Sequence, residues 1–260
     1  MSSKGIAIVT GAAQGIGKGI ALRLASDGFD IAVNDIPTNA DKLTALVEEI
    51  KAKEREASAH VADVSVEEQV KNMMEEVVKI YGGVDVMVAN AGVMKYASIA
   101  HTSVGDWDRV MAINARGTFL CFKYAGMQMI SQGRGGRIIG ACSVGGKKGG
   151  QMTSAYCASK FAIRGLTQSA ASEYGRHGIT VNSYAPGTTD TEMVTYMDKS
   201  HAELTGSAPG TFKKLLEKAM PLPMIATPDD IAGLVSFIAS KESQFITGQS
   251  ISINGGMYFD

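Results

Sequence analysis

Short runs of apolar and β-branched residues alternate along the chain with longer stretches whose apolar residues recur every three or four positions. In the stretch 43–53 these residues fall on one helical face, at Leu43, Leu46, Val47 and Ile50. The pattern predicts strands at 6–10, 31–34, 59–64, 84–89, 137–142, 179–184 and 250–253. It predicts helices at about 15–26, 43–53, 66–81, 107–131 and 154–176.

Strands that alternate with helices favour a parallel sheet covered by helices on both faces, an α/β fold of about seven strands. No linker, composition break or internal repeat divides the chain, so we expect a single domain over 1–260. The stretch at about 188–228 is less regular and carries many methionine, aromatic and aliphatic residues. Since ligands of such sheets bind beyond the carboxyl ends of the strands, we expect this stretch to form an adaptable lid.

The composition excludes several classes of protein. With 45% hydrophobic and 20% charged residues, the chain is not a disordered sequence. A formal net charge of -1 gives no reason to expect nucleic acid as a partner, and no apolar run is long enough to span a membrane. Three scattered cysteines and no leader-like segment indicate a cytoplasmic protein with reduced thiols. The four histidines lie far apart, and we expect no metal site.

A glycine-rich turn joins the first strand to the first helix. Gly11, Gly15 and Gly17 have the spacing that permits a tight turn, close approach of a pyrophosphate and close packing of helix on strand. The N–H groups at the start of the helix would face the phosphates. Asp35 follows the second strand, 18 residues beyond Gly17, near the spacing expected of an acid that binds the adenosine ribose. The pattern predicts a dinucleotide site in a Rossmann-type, doubly wound sheet.

Asp35 also indicates which dinucleotide binds. A carboxylate accepts hydrogen bonds from ribose hydroxyls but repels a 2′-phosphate. Its neighbours Asn34, Ile36 and Pro37 supply no cation. We therefore expect NAD(H) as the cofactor. The alternative is a surface aspartate that ends a strand.

Several motifs then follow in a fixed order: Thr10-Gly-x-x-x-Gly-x-Gly17, Asp63-Val64, Asn90-Ala-Gly92, Asn114, Ser143, Tyr156-x-x-x-Lys160, Pro186-Gly187 and Thr191. With them the whole chain resembles a single-domain short-chain dehydrogenase/reductase. Two positions depart from the family pattern: Ala89 replaces an asparagine, and Asn254 replaces an aspartate. The resemblance implies a cofactor site formed by Gly11, Gln14, Gly15, Ile16, Gly17, Asp35, Asp63, Val64, Asn90, Ala91, Gly92, Tyr156, Lys160, Pro186, Gly187, Thr189 and Thr191.

Tyr156 and Lys160 are the candidate acid–base pair. Four residues apart on a helix, they share one face, and the ammonium together with an oxidised nicotinamide would lower the pKa of the phenol from about 10. Ser143 ends a strand, where its hydroxyl could orient the substrate oxygen. The resemblance implies that Lys160 holds the nicotinamide ribose and that Asn114 holds a water of a proton relay. Alone, these residues could be a core tyrosine, a surface lysine and a strand-end cap.

The predicted reaction interconverts a secondary alcohol and a ketone. The chain most resembles the acetoin and diacetyl reductases, also called butanediol dehydrogenases. Val144 and Val194 stand where some of these place glutamine and tryptophan, so a bulkier apolar ketone is the other expectation. Met94, Val144, Met193 and Val194 are the candidate substrate contacts. The alternatives are reduction of a 3-oxoacyl chain on a carrier protein and a dinucleotide sensor without catalysis.

The two long helices at 107–131 and 154–176 predict assembly. The second carries Phe161 and Leu166 together with small residues that permit close helix packing, at Ala158, Ala162, Ala170 and Ala171. One helix can bury a single apolar stripe within its own domain, so further apolar residues call for a symmetric copy. By resemblance we expect a homotetramer. The alternative is that these residues all face the protein's own sheet.

Overall fold

Seven parallel strands form one sheet in the order β3-β2-β1-β4-β5-β6-β7. The structure is a computed structural model that describes residues 3–218 and 220–260. The predicted α/β sheet with helices on both faces is confirmed. The strands are β1 (Ile6–Thr10), β2 (Asp30–Asp35), β3 (Ala57–Val61), β4 (Val86–Ala89), β5 (Gly136–Ala141), β6 (Ile179–Pro186) and β7 (Ser250–Ile253).

The helices connect successive strands and cover both faces of the sheet. Those before β5 are α1 (Gly15–Ser26), α2 (Ala40–Lys51), α3 (Glu67–Tyr81), α4 (Val104–Val110) and α5 (Gly117–Gln132). Those after it are α6 (Ser154–Tyr174), α7 (Glu192–Thr205), α8 (Thr211–Lys218) and α9 (Pro228–Ala239). A π-helical segment, Met111–Arg116, joins α4 to α5 within the single helix that the sequence predicts.

The two faces of the sheet carry separate hydrophobic clusters. In β1 the side chains alternate: Ala7 and Val9 pack with α1, α2 and α9, whereas Ile6 and Ile8 pack with α3 and α5. All five residues of this strand are buried. A strand buried on both faces therefore has the continuous apolar run that is seen in the sequence.

The strand order reverses between β1 and β4. The chain runs from β1 outward to β3, returns to β4 beside β1, and continues outward to β7. The helices after β1 and β4 thus leave the sheet in opposite directions, which opens a crevice at the carboxyl ends of these strands. In open α/β sheets this is where ligands bind.

β3 is shorter than predicted at its carboxyl end. The sequence predicts a strand at 59–64, but the last pair in the ladder joins Val61 to Asp35. β3 lies at the edge of the sheet, so once β2 ends no neighbouring strand remains to pair with it. The Asn34 side chain then donates hydrogen bonds to the carbonyls of His60 and Ala62, which directs the chain over the crevice.

The predicted lid region contains two helices, α7 and α8. A parallel bridge between Thr189 and Ala226 closes its base. Asp198 of α7 accepts hydrogen bonds from the backbone N–H groups of Gly210 and Lys213 at the start of α8. The segment is therefore better ordered than its irregular sequence suggests.

Candidate active site

A cavity of about 490 Å³ lies at the carboxyl ends of the central strands. It extends from the glycine turn and Asp35 to Tyr156 and Lys160. The predicted cofactor residues that line it are Gly11, Gln14, Gly15, Ile16, Gly17, Asp35, Asp63, Val64, Asn90, Ala91, Gly92, Tyr156, Lys160, Pro186 and Thr191. Gly187 and Thr189 lie instead on a neighbouring cavity. The lining also includes residues that sequence reasoning missed, among them Asn34, Asn39, Arg109, Ile113, Cys142 and Tyr184.

The glycine turn leaves no room for side chains. Gly11 and Gly15 have φ angles of +61° and +55°, in the left-handed region that favours glycine. A Cβ on Gly17 would lie 2.2 Å from the carbonyl oxygen of Gly11. The side chain of Gln14, which precedes α1, makes no capping hydrogen bond. The first N–H groups of this helix line the cavity without intrahelical partners, and this arrangement fits an anionic pyrophosphate.

The Asp35 carboxylate is held in a fixed orientation beside the turn. Its Oδ2 accepts from the N–H of Ala13 at 3.1 Å, and its Oδ1 accepts from Ile36 N–H and Asn39 Nδ2, both at 2.9 Å. Lys42 of α2 donates to the Gln14 side chain nearby. This cation lies seven residues beyond Asp35 and is not among the sequence neighbours from which the charge at this site was predicted. An oriented carboxylate on the cavity wall fits the adenosine ribose.

Asn90 connects the end of β4 to the glycine turn. Its Nδ2 donates to the carbonyls of Thr10 at 2.8 Å and Gly11 at 3.1 Å. The hydroxyl of Tyr184 donates to Asn90 Oδ1 at 2.7 Å. Asn90 therefore fixes the shape of the larger cavity in addition to lining it.

The two departures from the family pattern occupy ordered positions. Ala89 is buried in the hydrophobic cluster on the α3 and α5 side of the sheet. Asn254 follows β7, where its Nδ2 donates to the carbonyl of Tyr258 and its Oδ1 accepts from Gly256 N–H. This amide fixes a turn that presents Met257 to the neighbouring cavity.

The neighbouring cavity has a volume of about 240 Å³, is open to solvent on one side and lies against α7 and α8. All four candidate substrate contacts line it, namely Met94, Val144, Met193 and Val194. The other contributors include Met197 and Leu216 of the predicted lid, together with Lys148, Gly149, Gly150, Thr153, Cys157 and Met257, which sequence reasoning missed. They come from the loop after β5, from α6, from the lid helices and from the segment after β7. No local motif indicates that these segments meet.

Tyr156 lies where the two cavities join, since its side chain lines both. Ser143 lines the smaller cavity, and Lys160 lines the larger. The Ser143 hydroxyl accepts from Gly145 N–H at 3.0 Å and is hydrogen-bonded to Tyr156. Lys160 Nζ lies 5.3 Å from the centre of the Tyr156 ring and donates to the carbonyl of Ala141 at 2.6 Å. The three side chains are therefore brought together. Tyr156 and Lys160 lie one turn apart on α6, and Ser143 follows the end of β5.

Burial controls the acidities of this group. It raises the pKa of Tyr156 to about 12, against the lowering effect of the Ser143 hydrogen bond. It lowers the pKa of Lys160 to about 8. The predicted lowering of the Tyr156 pKa by Lys160 does not outweigh burial in the protein alone. For the complex with the oxidised nicotinamide, that lowering stays a prediction.

Asn114 lies in the π-helical segment and is fully buried. Its side chain accepts from Val93 N–H at 2.8 Å and donates to the Val93 carbonyl and to Ser159 Oγ. A Cβ on Gly92 would lie 3.3 Å from Asn114 Oδ1 and 3.5 Å from Lys160 Nζ, so both side chains approach the same glycine. This placement connects β4 to α6 beside Lys160. The water relay through Asn114 stays a prediction.

Within residues 3–218 and 220–260, no group of three or more His, Cys, Asp or Glu side chains could hold a metal ion. In the same part of the chain, no helix has the length and apolarity to cross a membrane. All three cysteines are buried, and Cys142 and Cys157 line the larger and the smaller cavity respectively.

Proteins of known sequence resemble this chain over nearly its full length. A short-chain dehydrogenase/reductase of Hericium erinaceus is 52% identical, covering 98% of this chain and 98% of the relative. A 3-oxoacyl-[acyl-carrier-protein] reductase of Staphylococcus epidermidis is 40% identical, covering 97% and 98%. An L-2,3-butanediol dehydrogenase of Corynebacterium glutamicum is 36% identical, covering 98% and 99%.

Solved structures share the fold. A short-chain type dehydrogenase/reductase from Mycobacterium marinum superposes with a TM-score of 0.90 at 33% identity, over 99% of this chain and 97% of that one. An acetoin dehydrogenase from Salmonella typhimurium gives a TM-score of 0.85, also at 33% identity, over 99% and 96%. A family model described as enoyl-(acyl carrier protein) reductase matches residues 11–258. The chain belongs to the short-chain dehydrogenase/reductase family of oxidoreductases.

Proposed function

We propose that this protein is an NAD(H)-dependent oxidoreductase that interconverts a secondary alcohol and a ketone. The observation that carries the proposal is the position of Tyr156 at the junction of two cavities, with Ser143 on the smaller one and Lys160 on the larger. A proton donor placed there would contact the oxygen of a substrate in the smaller cavity and lie beside a nicotinamide in the larger one. Substrate would occupy the smaller cavity and cofactor the larger.

The mechanism assigns the proton to Tyr156. When bound, the nicotinamide supplies a hydride to the ketone or accepts one from the alcohol. Because the pKa of Tyr156 is about 12, its hydroxyl is protonated at neutral pH and can donate to the carbonyl oxygen as that oxygen gains negative charge. The O–H bond of Tyr156 breaks, and the proton moves to the substrate oxygen. Ser143 donates a hydrogen bond to the same oxygen and orients it.

Lys160 supports the phenolate that remains. The pKa of Lys160 is about 8, so at pH 7 most molecules carry this side chain as the ammonium. A positive charge within 5.3 Å of the ring centre stabilises the phenolate relative to the phenol. With a ligand in the larger cavity, the ammonium would exchange the Ala141 carbonyl for the ribose hydroxyls.

Asp35 supports NAD(H) over NADP(H), because a 2′-phosphate would meet a fixed carboxylate. We predict a higher kcat/KM with NADH than with NADPH for the same ketone. Replacing Asp35 by serine together with Ile36→Arg should shift the ratio towards NADPH, since the repulsion is lost and a cation is added. A wild-type preference for NADPH would contradict the assignment and would point to Lys42 as the dominant charge at this site.

Reduction of 3-oxoacyl chains on a carrier protein is the second candidate, since a relative with that name is 40% identical. Assays with NADH and either simple ketones or 3-oxoacyl thioesters separate the two. Oxidation of NADH by simple ketones with a higher kcat/KM than by thioesters supports our proposal. Turnover of thioesters alone favours the second candidate. Binding of NADH without turnover of either substrate would indicate a dinucleotide sensor.

We also propose a homotetramer. Apolar side chains lie exposed on α4, α5 and α6, at Trp107, Phe119, Met127 and Phe161. They fall on the two long helices from which the sequence predicts assembly, outside the stripes that pack on the sheet. A symmetric copy that pairs these helices would bury them.

A further inference from the structure

The smaller cavity identifies the substrate class. Resting on the proposed function, we propose that the substrate is a largely apolar ketone or secondary alcohol of roughly 8–11 nonhydrogen atoms. It is recognised through a single oxygen at Ser143 and Tyr156 and otherwise by apolar contact. A four-carbon diketone or hydroxyketone, with its second oxygen, fits this cavity poorly.

Most polar side chains on the cavity wall are already engaged within the protein. Thr153 Oγ1 donates to the Gly150 carbonyl at 3.1 Å, and Thr189 Oγ1 to the Gly187 carbonyl at 3.3 Å. Thr191 Oγ1 donates to the Thr189 carbonyl at 3.2 Å. In each case the one hydroxyl proton is committed to a backbone oxygen, so these side chains have no donor left for a substrate.

The cation at the rim, Lys148, is exposed to solvent and partly engaged within the protein. Lys148 Nζ donates to the carbonyl of Met257 at 2.9 Å and lies 5.9 Å from the centre of the Tyr258 ring. Among the polar side chains that line the cavity, Thr188 is the one for which the described part of the chain offers no hydrogen bond, whereas Ser143 and Tyr156 are hydrogen-bonded to each other. The side chains of the wall therefore supply one oxygen-binding pair, one further hydroxyl at Thr188 and, at the exposed rim, the remaining donors of Lys148.

The rest of the wall is aliphatic or sulfur-containing. Seven of these side chains come from the loop after β4, the loop after β5, α7, α8 and the segment after β7, and they are Met94, Val144, Met193, Val194, Met197, Leu216 and Met257. The others are Ile16, Cys157 and Pro186. Methionine adapts its shape to the ligand without providing a strong hydrogen-bond partner. A second oxygen buried against this wall without a partner would weaken binding roughly ten- to hundredfold.

The volume sets the size of the substrate. A water molecule takes about 30 Å³ in the liquid, and a methylene group takes a similar share. The 240 Å³ of the cavity thus hold roughly eight nonhydrogen atoms at liquid density, and about eleven at the closer packing of protein interiors. A four-carbon diketone would leave part of the cavity unfilled and would lose contacts on one side.

A homologous series of methyl ketones tests the proposal, from 2-butanone to 2-dodecanone, with NADH as the reductant. Each methylene group that enters the cavity should raise kcat/KM up to about fourfold. The rise should stop between 2-heptanone and 2-decanone, where the cavity is full. A higher kcat/KM for diacetyl or acetoin than for 2-octanone overturns the proposal. Failure of every ketone in the series would instead reject the proposed function.

A pair of neighbouring leucines provides the matched variants. Leu216 lines the cavity, whereas Leu215 is 54% exposed and does not. Leu216→Ala should enlarge the cavity, so that kcat/KM stops increasing only at ketones several carbon atoms longer than with the wild type. With Leu215→Ala, kcat/KM should stop increasing at the same ketone length as with the wild type. If neither variant moves the end of the rise, or if both move it equally, the ketone chain does not occupy this cavity.

Discussion

Lys160 combines burial and charge in one side chain. It is 3% exposed, and among the described residues its Nζ has a single hydrogen-bond acceptor, the carbonyl of Ala141. Burial without a carboxylate partner disfavours the ammonium, which explains the pKa of about 8. In the mechanism the same ammonium stabilises the Tyr156 phenolate. The proposed catalytic role of Lys160 therefore opposes its contribution to stability.

Replacing Lys160 should show how much the buried ammonium lowers the free energy of unfolding. An unfolded lysine has a pKa near 10.4, so between pH 8 and 10.4 the unfolded chain holds a proton that the native protein has released. Raising the pH through this window favours the native state. We predict that Lys160→Met increases the free energy of unfolding on the order of 1 kcal/mol at pH 7. The gain should shrink as the pH rises to 10.4.

Denaturant unfolding of both proteins at several pH values measures this difference. Lys214, an exposed lysine of α8, is the control, and Lys214→Met should give no such pH-dependent gain. A difference between wild type and Lys160→Met that stays constant or grows from pH 7 to pH 10 would show that burial of the ammonium does not limit stability.

At the scale of elements, the packing of α7 against α8 in the predicted lid depends on one carboxylate. Asp198 of α7 accepts from the backbone N–H groups of Gly210 at 2.6 Å and Lys213 at 3.1 Å. These bonds hold the pKa of Asp198 below its usual value. The rings of His201 and Phe212 also stack between the two helices, with centres 4.6 Å apart. Because α8 carries Leu216, the position of this wall of the smaller cavity depends on the Asp198 cap.

Asp198→Ala should therefore weaken ketone binding without affecting the cofactor. Loss of a helix cap costs about 1 kcal/mol, so we expect KM for the ketone to rise about fivefold, with the dissociation constant of NADH unchanged. Glu203→Ala, at an exposed position of the same helix, is the control. An equal loss of NADH affinity would show that Asp198 supports the whole site rather than the lid.

The sequence predicts elements well where the apolar pattern alone defines them. β1 and α1 have the predicted bounds, because a buried strand and an amphipathic helix each produce a local periodicity. The predicted end of β3 was wrong, because the last paired residue of β3 is set by where its neighbour β2 ends. The π-helical segment at Met111–Arg116 does not change the helical spacing of apolar residues, so this spacing does not predict it.

The same distinction applies to the site. The predicted cofactor residues form compact motifs at strand ends, and most of them line the larger cavity. The walls of the smaller cavity come from segments far apart in the chain, such as Gly149 and Met257. Only the three-dimensional packing of the loop after β5 against the segment after β7 brings them together, and no spacing rule predicts that contact.

The whole molecule carries apolar surface that one copy does not bury. Phe161 on α6 is 44% exposed, and Phe119 and Met127 on α5 are 45% and 56% exposed. Since α6 also carries Tyr156 and Lys160, a copy packed on its outer face would brace the helix that holds the catalytic pair. Activity and assembly should therefore be linked.

Light scattering at micromolar concentration should give about four times the 27.3 kDa of one chain. Phe161→Asp should reduce the mass and the activity together, because a charge cannot be buried between the helices. Ile80→Asp provides the matched control, since Ile80 is 57% exposed on α3, outside the proposed interface. A wild-type mass near 27.3 kDa, or full activity in a proven monomer, would contradict this part of the account.

The most direct test of the mechanism removes one oxygen atom. Tyr156→Phe keeps the ring between the two cavities and deletes the hydroxyl that donates the proton. General acid–base groups contribute about 10²–10⁴-fold, so ketone reduction by NADH should fall at least a hundredfold. NADH affinity, measured by direct titration, should remain within about twofold of wild type, since the ring and Lys160 stay in place. A variant that binds NADH normally and keeps more than about a tenth of the wild-type rate would contradict the assignment of Tyr156 as the proton donor.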